Sequence, residues 1–278
     1  MKNIARKIHE GLGCHYPKSE VTALTRILAT ELLEIPQMAF YLKDDVPLTP
    51  EQELLLANAI ERLAKHEPIQ YVLGYSDFCG LRFNVTKATL IPRPETSELV
   101  EWIAQECNGK ERFLDIGTGS GCIAISLAHK LPQSNVTAWD ISNDALSIAT
   151  ENSKANNCTV TFEQVDILAY KPAGRQFDVI VSNPPYIREV EKEAMHANVL
   201  NWEPHTALFV PDSDPLLFYR TIAEHATTML RHNGRIYFEI NREYGKETVE
   251  LLASLGYKEI ELRKDFADND RMIKAVKP

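Results

Sequence analysis

The chain has 278 residues, 44% of them hydrophobic and 25% charged, the make-up of a globular protein with one large core and a smaller domain. Its formal net charge of −9 lacks the dense basic footprint needed to grip duplex nucleic acid, which leaves only local patches for such a role. Five scattered cysteines with no Cys-x-x-Cys pair and eight histidines with no ligand-spaced pair indicate neither a disulfide framework nor a metal site, and reducing, cytoplasmic surroundings fit best. From Met1 the chain runs into an amphipathic pattern, and no apolar stretch approaches the length of a membrane span.

Residues 1–75 read as a helical domain. Ile4, Ile8 and Leu12 mark one helical face, and Val21, Leu24, Ile27, Leu28 and Leu32 mark a second helix capped near Ser19. Thr49-Pro50-Glu51-Gln52 combines a capping threonine, a first-turn proline and a reciprocating glutamine, and it opens a helix through Leu54, Leu55, Ala59 and Leu63 that Pro68 ends. Packed together, these stripes account for nearly every apolar residue of the region. Near-balanced charge suits a module that recognises a protein rather than one that reads DNA.

Residues 76–91 shift toward strand periodicity, and Phe78, Leu81, Phe83 and Val85 around Gly80 predict a hairpin linker. The rigid Leu90-Ile91-Pro92-Arg93-Pro94-Glu95-Thr96 leads into a helix marked by Leu99, Val100, Trp102 and Ile103. A stiff linker explains that segment, and a pair of side chains, Arg93 and Glu95, held toward a cleft explains it equally well.

From residue 92 to 278 the pattern is α/β. Phe113 to Ile116 is a buried strand, Gly117-Thr118-Gly119-Ser120-Gly121 a tight turn, and Ile123 to Leu131 a helix whose N-terminus offers free N–H groups. A dinucleotide fingerprint would place a glycine where Cys122 stands; G-x-G-x-G is instead the form of an S-adenosylmethionine site. The next strand ends at Asp140, about 20 residues on, where an acid pairs with ribose hydroxyls in such folds. A third strand through Val160 and Phe162 closes at Asp166-Ile167, placed to meet an adenine amino group and flank its ring.

The apolar run Phe177 to Val181 reads as a fourth parallel strand, and Ser182-Asn183-Pro184-Pro185-Tyr186 sits at its carboxyl end. The prolines stiffen a loop rich in acceptors. The Asn183 side-chain oxygen and the Pro184 carbonyl can take both hydrogens of one NH₂ group, over whose plane the Tyr186 ring can lie. A conjugated NH₂ so held is turned toward sp³ character, and no strong base is required. An ordinary Asn-Pro turn or a proline-rich ligand is the plain alternative. Gly234 to Ile240 reads as a further strand, and Tyr257–Leu262 with Met272–Val276 as a closing hairpin.

Pro68-Ile69-Gln70-Tyr71-Val72-Leu73-Gly74, Leu90 to Thr96, Asp115 to Gly121, Asn183 to Tyr186, and Glu203-Pro204 with Ala207-Leu208 together resemble the HemK-like release-factor glutamine methyltransferases over nearly the whole chain. The resemblance departs at Ser97, where an acid is common, and at the aliphatic Ile167, where some relatives carry an aromatic. It implies a class I S-adenosylmethionine-dependent methyltransferase fold, Rossmann-like, with a seven-stranded, mostly parallel sheet ending in an antiparallel hairpin behind an N-terminal helical, substrate-recognition domain. It further implies donor contacts from Gly117, Thr118, Gly119, Ser120, Gly121, Asp140, Asp166, Ile167 and Asn183. Asn183, Pro184, Pro185 and Tyr186 would then hold the glutamine of the Gly-Gly-Gln loop of class I peptide-chain release factors. Those factors are the expected partner, with no direct nucleic-acid binding and a monomeric enzyme. The rivals are an adenine exocyclic-amine methyltransferase acting on DNA or RNA, and a non-catalytic module that keeps the donor pocket.

Overall fold

A computed structural model describes residues 2–42 and 46–277. Met1 and Pro278, at which two of the expected domains begin and end, lie outside the described residues. The chain divides into two compact units, one running to Gly74 and including His196–Trp202, the other comprising Tyr75–Met195 and the chain from Glu203 onward.

The small unit begins with α1 (Lys2–Leu12) and α2 (Lys18–Ile27), which runs on as a π-helical turn over Leu28–Leu32. Helices α3 (Gln37–Leu42), α4 (Pro50–Ala64) and α5 (Ile69–Leu73) follow. Ile4, Ile8 and Leu12 are buried against Val21, Leu24, Leu28 and the α4 stripe. The capping box at α4 is present: the Thr49 hydroxyl accepts from Gln52 N at 3.3 Å and Gln52 Oε1 from Thr49 N at 3.0 Å. Three expectations fail in detail. Helix α2 starts at Lys18 behind Pro17 with no side-chain cap, so Ser19 lies inside it. Helix α4 ends at Ala64 and Pro68 stands at the N-cap of α5. The α4 core stripe is Leu56, Ala59 and Leu63, whereas Leu54 and Leu55 are 73% and 49% exposed. At about 100° per residue Leu54 lies about 200° around the helix from Leu56, so only one member of the Leu-Leu-Leu run can face the core.

The large unit opens with the hairpin β1 (Tyr75–Phe78) and β2 (Leu81–Asn84). The alternation then runs α6 (Pro94–Glu106), β3 (Arg112–Ile116), α7 (Cys122–Lys130), β4 (Asn135–Asp140), α8 (Asn143–Ala155), β5 (Val160–Gln164) and β6 (Phe177–Ser182). Strand β7 (Ile187–Arg188) pairs with β8 (Phe209–Val210), and between them α9 (Ala197–Leu200) belongs to the small unit, where the Trp202 indole donates to Lys65 O at 3.2 Å. Helix α10 (Leu217–Met229), β9 (Leu230–Glu239), α11 (Gly245–Ser254), β10 (Lys258–Lys264) and β11 (Asp270–Val276) complete the chain.

The main sheet has the order β10-β11-β9-β6-β3-β4-β5; β9, β6, β3, β4 and β5 are parallel, and β11 is antiparallel to both its neighbours. This is the expected seven-stranded, mostly parallel sheet with its closing hairpin. Alternate side chains feed two cores. Phe113, Val179, Val181 and Tyr237 face α6 and α7, while Leu114, Ile180, Ile236 and Phe238 face α10 and α11. After β5 the chain crosses back to β6 on the other side of β3, so the strand order reverses beside β3 and leaves a crevice at the carboxyl ends there.

Glu106, at the end of α6, pins that helix to the sheet: Trp102 Nε1, the Tyr237 hydroxyl and Lys274 Nζ donate to it at 2.7, 2.7 and 2.8 Å. Burial alone would raise its pKa, but these three donors outweigh it and hold the carboxyl down at about 2. A folded-state value below the unfolded one stabilises the protein above pH ~4.5, and that stability is lost as pH falls toward 2. With solvent screening allowed for, the contribution is about 2 kcal/mol. Urea titrations at pH 7 and pH 3 should show Glu106→Gln less stable than wild type at pH 7 and the gap narrowing at pH 3; a constant gap would reject the assignment.

Candidate active site

The loop after β3 is shaped by its glycines. Gly117, Gly119 and Gly121 have φ of +76°, +54° and +82°, a region costly for other residues. The N–H groups of Gly117 and Thr118 both donate to Trp139 O, at 2.8 and 2.9 Å, which ties the loop to the end of β4. A Cβ added at Gly117 or Gly119 would meet nothing within 4 Å, so the space beside them is open to a ligand. Gly121 serves packing instead: its added Cβ would lie 2.7 Å from Ile125 Cδ1 and 3.2 Å from Ala149 Cβ, where α7 passes α8. Gly121→Ala therefore combines backbone strain with overpacking and should destabilise the protein by about 2 kcal/mol. An unchanged urea midpoint would refute this.

Two loop residues expected at the ligand face elsewhere. The Thr118 hydroxyl donates inward to Asp115 Oδ2 at 2.6 Å, and Ser120 is 2% exposed. Burial pushes the Asp115 carboxyl up to about 7, against the pull of the Thr118 hydroxyl and the Ala124 amide. Asn152, fully buried on α8, donates to Ser120 O at 2.9 Å and to Asn84 O at 3.0 Å, and accepts from Asn84 N at 2.7 Å. It clamps the loop to the end of the hairpin. No spacing pattern in the sequence marks this residue, because its partners are 32 and 68 positions away.

A cavity of about 360 Å³ lies at the carboxyl ends of β3, β4, β5 and β6, within the usual size of small-molecule sites. Gly117, Gly119, Asp140, Asp166, Ile167, Asn183, Pro184 and Pro185 all line it; Thr118, Ser120, Gly121 and Tyr186 do not. Asp140 is already engaged: Oδ2 accepts from Gly119 N at 2.8 Å and Oδ1 from Ser142 N at 2.9 Å. Burial raises its pKa, and the backbone N–H groups of Ser142, Gly119 and Ile141 oppose the rise. Each oxygen keeps a lone pair for a ligand hydroxyl. Strand β5 ends at Gln164, so Asp166 and Ile167 lie just beyond it rather than closing it; Asp166 is exposed at the rim, its Oδ1 closing a turn with Leu168 N at 2.9 Å. The apolar walls Ile141, Phe218, Ile222 and Leu90 are not among the site residues expected from the sequence. Of these, Ile141 had a signal, since it directly follows the strand-end acid.

At the other end of the cavity, the Ser182 hydroxyl donates to Ile116 O at 2.6 Å and locks β6 to β3. Asn183 Nδ2 makes a long hydrogen bond of 3.4 Å to the Thr96 hydroxyl oxygen. That hydroxyl donates to Glu239 Oε2 at 2.5 Å, and the Tyr186 hydroxyl donates to Glu239 Oε1 at 3.3 Å. The Tyr186 ring packs against the core on the α10 side, and its backbone is held by Leu208 O and the Asn241 side chain. Tyr186 thus braces the loop rather than walling the cavity. Arg93 and Ile91 N both reach the buried Glu203 carboxylate, at 2.5 and 3.2 Å, which joins two of the motif segments. Glu239 is not among the site residues expected from the sequence, although an acid ending an apolar strand is a signal the sequence carries.

The parallel sheet, the glycine loop and a cavity over the strand ends make this a class I methyltransferase fold. A methyltransferase from Pyrococcus furiosus shares it, with a TM-score of 0.54 at 19% identity over 80% of this chain and 98% of that one. The methyltransferase small domain matches residues 95–203, and the PrmC N-terminal domain matches residues 10–74. A release factor glutamine methyltransferase of Bacteroides thetaiotaomicron is 46% identical over 99% of both chains. One from Flavobacterium psychrophilum is 46% identical over 99% of this chain and 98% of its own. The chain belongs to the release factor glutamine methyltransferase family. Among the described residues, no helix is long and apolar enough to cross a membrane and no cluster of three potential metal-ligating His, Cys, Asp or Glu side chains occurs.

Proposed function

We propose that this protein transfers a methyl group from S-adenosylmethionine to the side-chain amide nitrogen of the glutamine in the Gly-Gly-Gln loop of class I peptide-chain release factors. The observation that carries the reading is one continuous cavity with a glycine loop and two strand-end acids at one side and Asn183-Pro184 at the other. From β5 to β6 is three strand spacings, about 14 Å, room for an elongated nucleoside ligand laid across the strand ends.

S-adenosylmethionine would supply an electrophilic methyl on a sulfonium sulfur, the S–CH₃ bond breaking as the N–CH₃ bond forms and S-adenosylhomocysteine leaving with the electron pair. Asp140 accepts from the ribose hydroxyls while it keeps Gly119 in place, and Gly117 and Gly119 let the ligand approach the backbone. Asp166 and Ile167 take the adenine amino group and ring edge, with Ile141 as a further apolar wall. Asn183 Oδ1 and the Pro184 carbonyl accept the two N–H bonds of the glutamine amide and turn its lone pair toward the methyl. Both dipoles then face the positive charge that grows on nitrogen. The N-methylated, still protonated amide is acidic enough to release its proton to water.

In this reading residues 1–75 recognise the release factor, 76–91 link, and 92–278 carry the chemistry, in a monomer of the cytoplasm. Mass spectrometry of a class I release factor incubated with enzyme and donor should show one added methyl on the Gly-Gly-Gln glutamine. A parallel incubation with adenine-containing single-stranded DNA and RNA tests the rival. Methylated nucleic acid beside unmodified release factor would overturn the proposal.

A further inference from the structure

Asn183 is useful as an acceptor only if its amide is the right way round. An asparagine amide carries a donor end and an acceptor end of nearly equal size. With its NH₂ toward the cavity, Asn183 would set donors against the NH₂ it has to hold.

We infer that Thr96 and Glu239 are positioning residues that set the polarity of the acceptor site by orienting the Asn183 amide. The inference rests on the reading of Asn183 as an acceptor for the substrate NH₂. It begins at Glu239, 2% exposed at the carboxyl end of β9, next to β6 in the sheet. Its two oxygens receive the hydroxyls of Thr96 and Tyr186; burial raises its pKa, and the Thr96 hydroxyl, the Arg271 charge on the neighbouring β11 and the Tyr186 hydroxyl oppose the rise by favouring the carboxylate. A carboxylate can only accept. The Thr96 hydroxyl has a single proton, which goes to Glu239, so its oxygen can offer only lone pairs to a further neighbour. That neighbour is Asn183 Nδ2, which must donate. The other end of the amide, Oδ1, is thereby left for the cavity that Asn183 lines. The direction of each hydrogen bond follows from the one before it. Nothing in the chemistry requires Thr96 or Glu239 to touch the substrate.

A plain bracing role for Thr96, tying α6 to β9, is separated from this one by a coupling experiment. Thr96→Val keeps the shape and removes the hydroxyl, so kcat on a release factor should fall about tenfold or more while the Kd for S-adenosylmethionine stays within about threefold. Thr96→Ser, which restores the oxygen and its proton, should return kcat to within about threefold of wild type. In an Asn183→Ala background Thr96→Val should add less than a twofold loss, because no amide is left to orient. Glu239→Gln, whose amide can donate as well as accept, is a second variant with the same expected pattern, available should Thr96→Val fail to fold. Unchanged kcat in folded Thr96→Val or Glu239→Gln, or a loss that repeats undiminished in the Asn183→Ala background, overturns the inference alone. Wild-type enzyme inactive on release factor overturns the glutamine reading, and this inference with it.

Discussion

Asn183→Ala is expected to reduce turnover on a release factor about a hundredfold, the result of losing roughly 3 kcal/mol of transition-state stabilisation with one of two preorganised acceptors. The side chain lines the cavity at the end of β6. Its removal leaves the Thr96–Glu239 hydrogen bond and the Ser182–Ile116 lock in place, so the loop should keep its course. Donor binding is expected to survive in large part, since Asn183 is one of several expected donor contacts and Asp140 and the glycine loop stand on other strands. Calorimetry with S-adenosylmethionine and steady-state kinetics with release factor read the two ends separately. Equal losses in donor affinity and turnover would place Asn183 in donor binding instead, and undiminished turnover would sink the mechanism.

For the donor end, Asp140→Ala should weaken S-adenosylmethionine binding by about a hundredfold, as expected for two charge-assisted hydrogen bonds to ribose hydroxyls at about 1.5 kcal/mol each. A second effect comes from the fold. Both carboxylate oxygens already hold backbone N–H groups, of Gly119 and Ser142, so alanine leaves these donors without their partner in a largely buried place. The ligand-free protein should lose about 1–3 kcal/mol of stability. Asp140→Asn keeps one accepting oxygen and should fall between alanine and wild type in both measurements. Calorimetry for affinity and urea unfolding for stability decide the matter. Unchanged affinity would mean that the ribose lies elsewhere, and an unchanged urea midpoint would mean that the two backbone contacts carry no stability.

Much of this protein is legible without coordinates where the physics is local. The apolar runs at Phe113 to Ile116 and Phe177 to Val181 read as buried strands, because each is short, β-rich and stopped by glycines or prolines. Spacing then places Gly117, Gly119, Asp140, Asp166 and Asn183 at successive strand ends, and parallel order brings all five to one rim. The capping box at Thr49 is equally local, since both of its hydrogen bonds close within three residues.

What required the tertiary structure is the direction in which side chains point and the long-range pairs they make. Thr96 and Glu239 are 143 residues apart and meet because α6 packs on the face of the sheet that Glu239 shares with Tyr237. Tyr186 looks like a wall of the site in sequence, but its hydroxyl is drawn to Glu239 and its ring to the core. Thr118 and Ser120 sit within a loop whose glycines turn the backbone at every second residue, so they face inward while Gly117 and Gly119 stay open to the cavity. Leu54 and Leu55 look like core in a leucine run, yet only Leu56 meets the packed face. Sequence pattern determines which elements form and in what order their ends align, because those depend on periodicity and near neighbours. Which side chains of a loop or a run face the ligand is decided by packing between distant elements, and no local pattern encodes it.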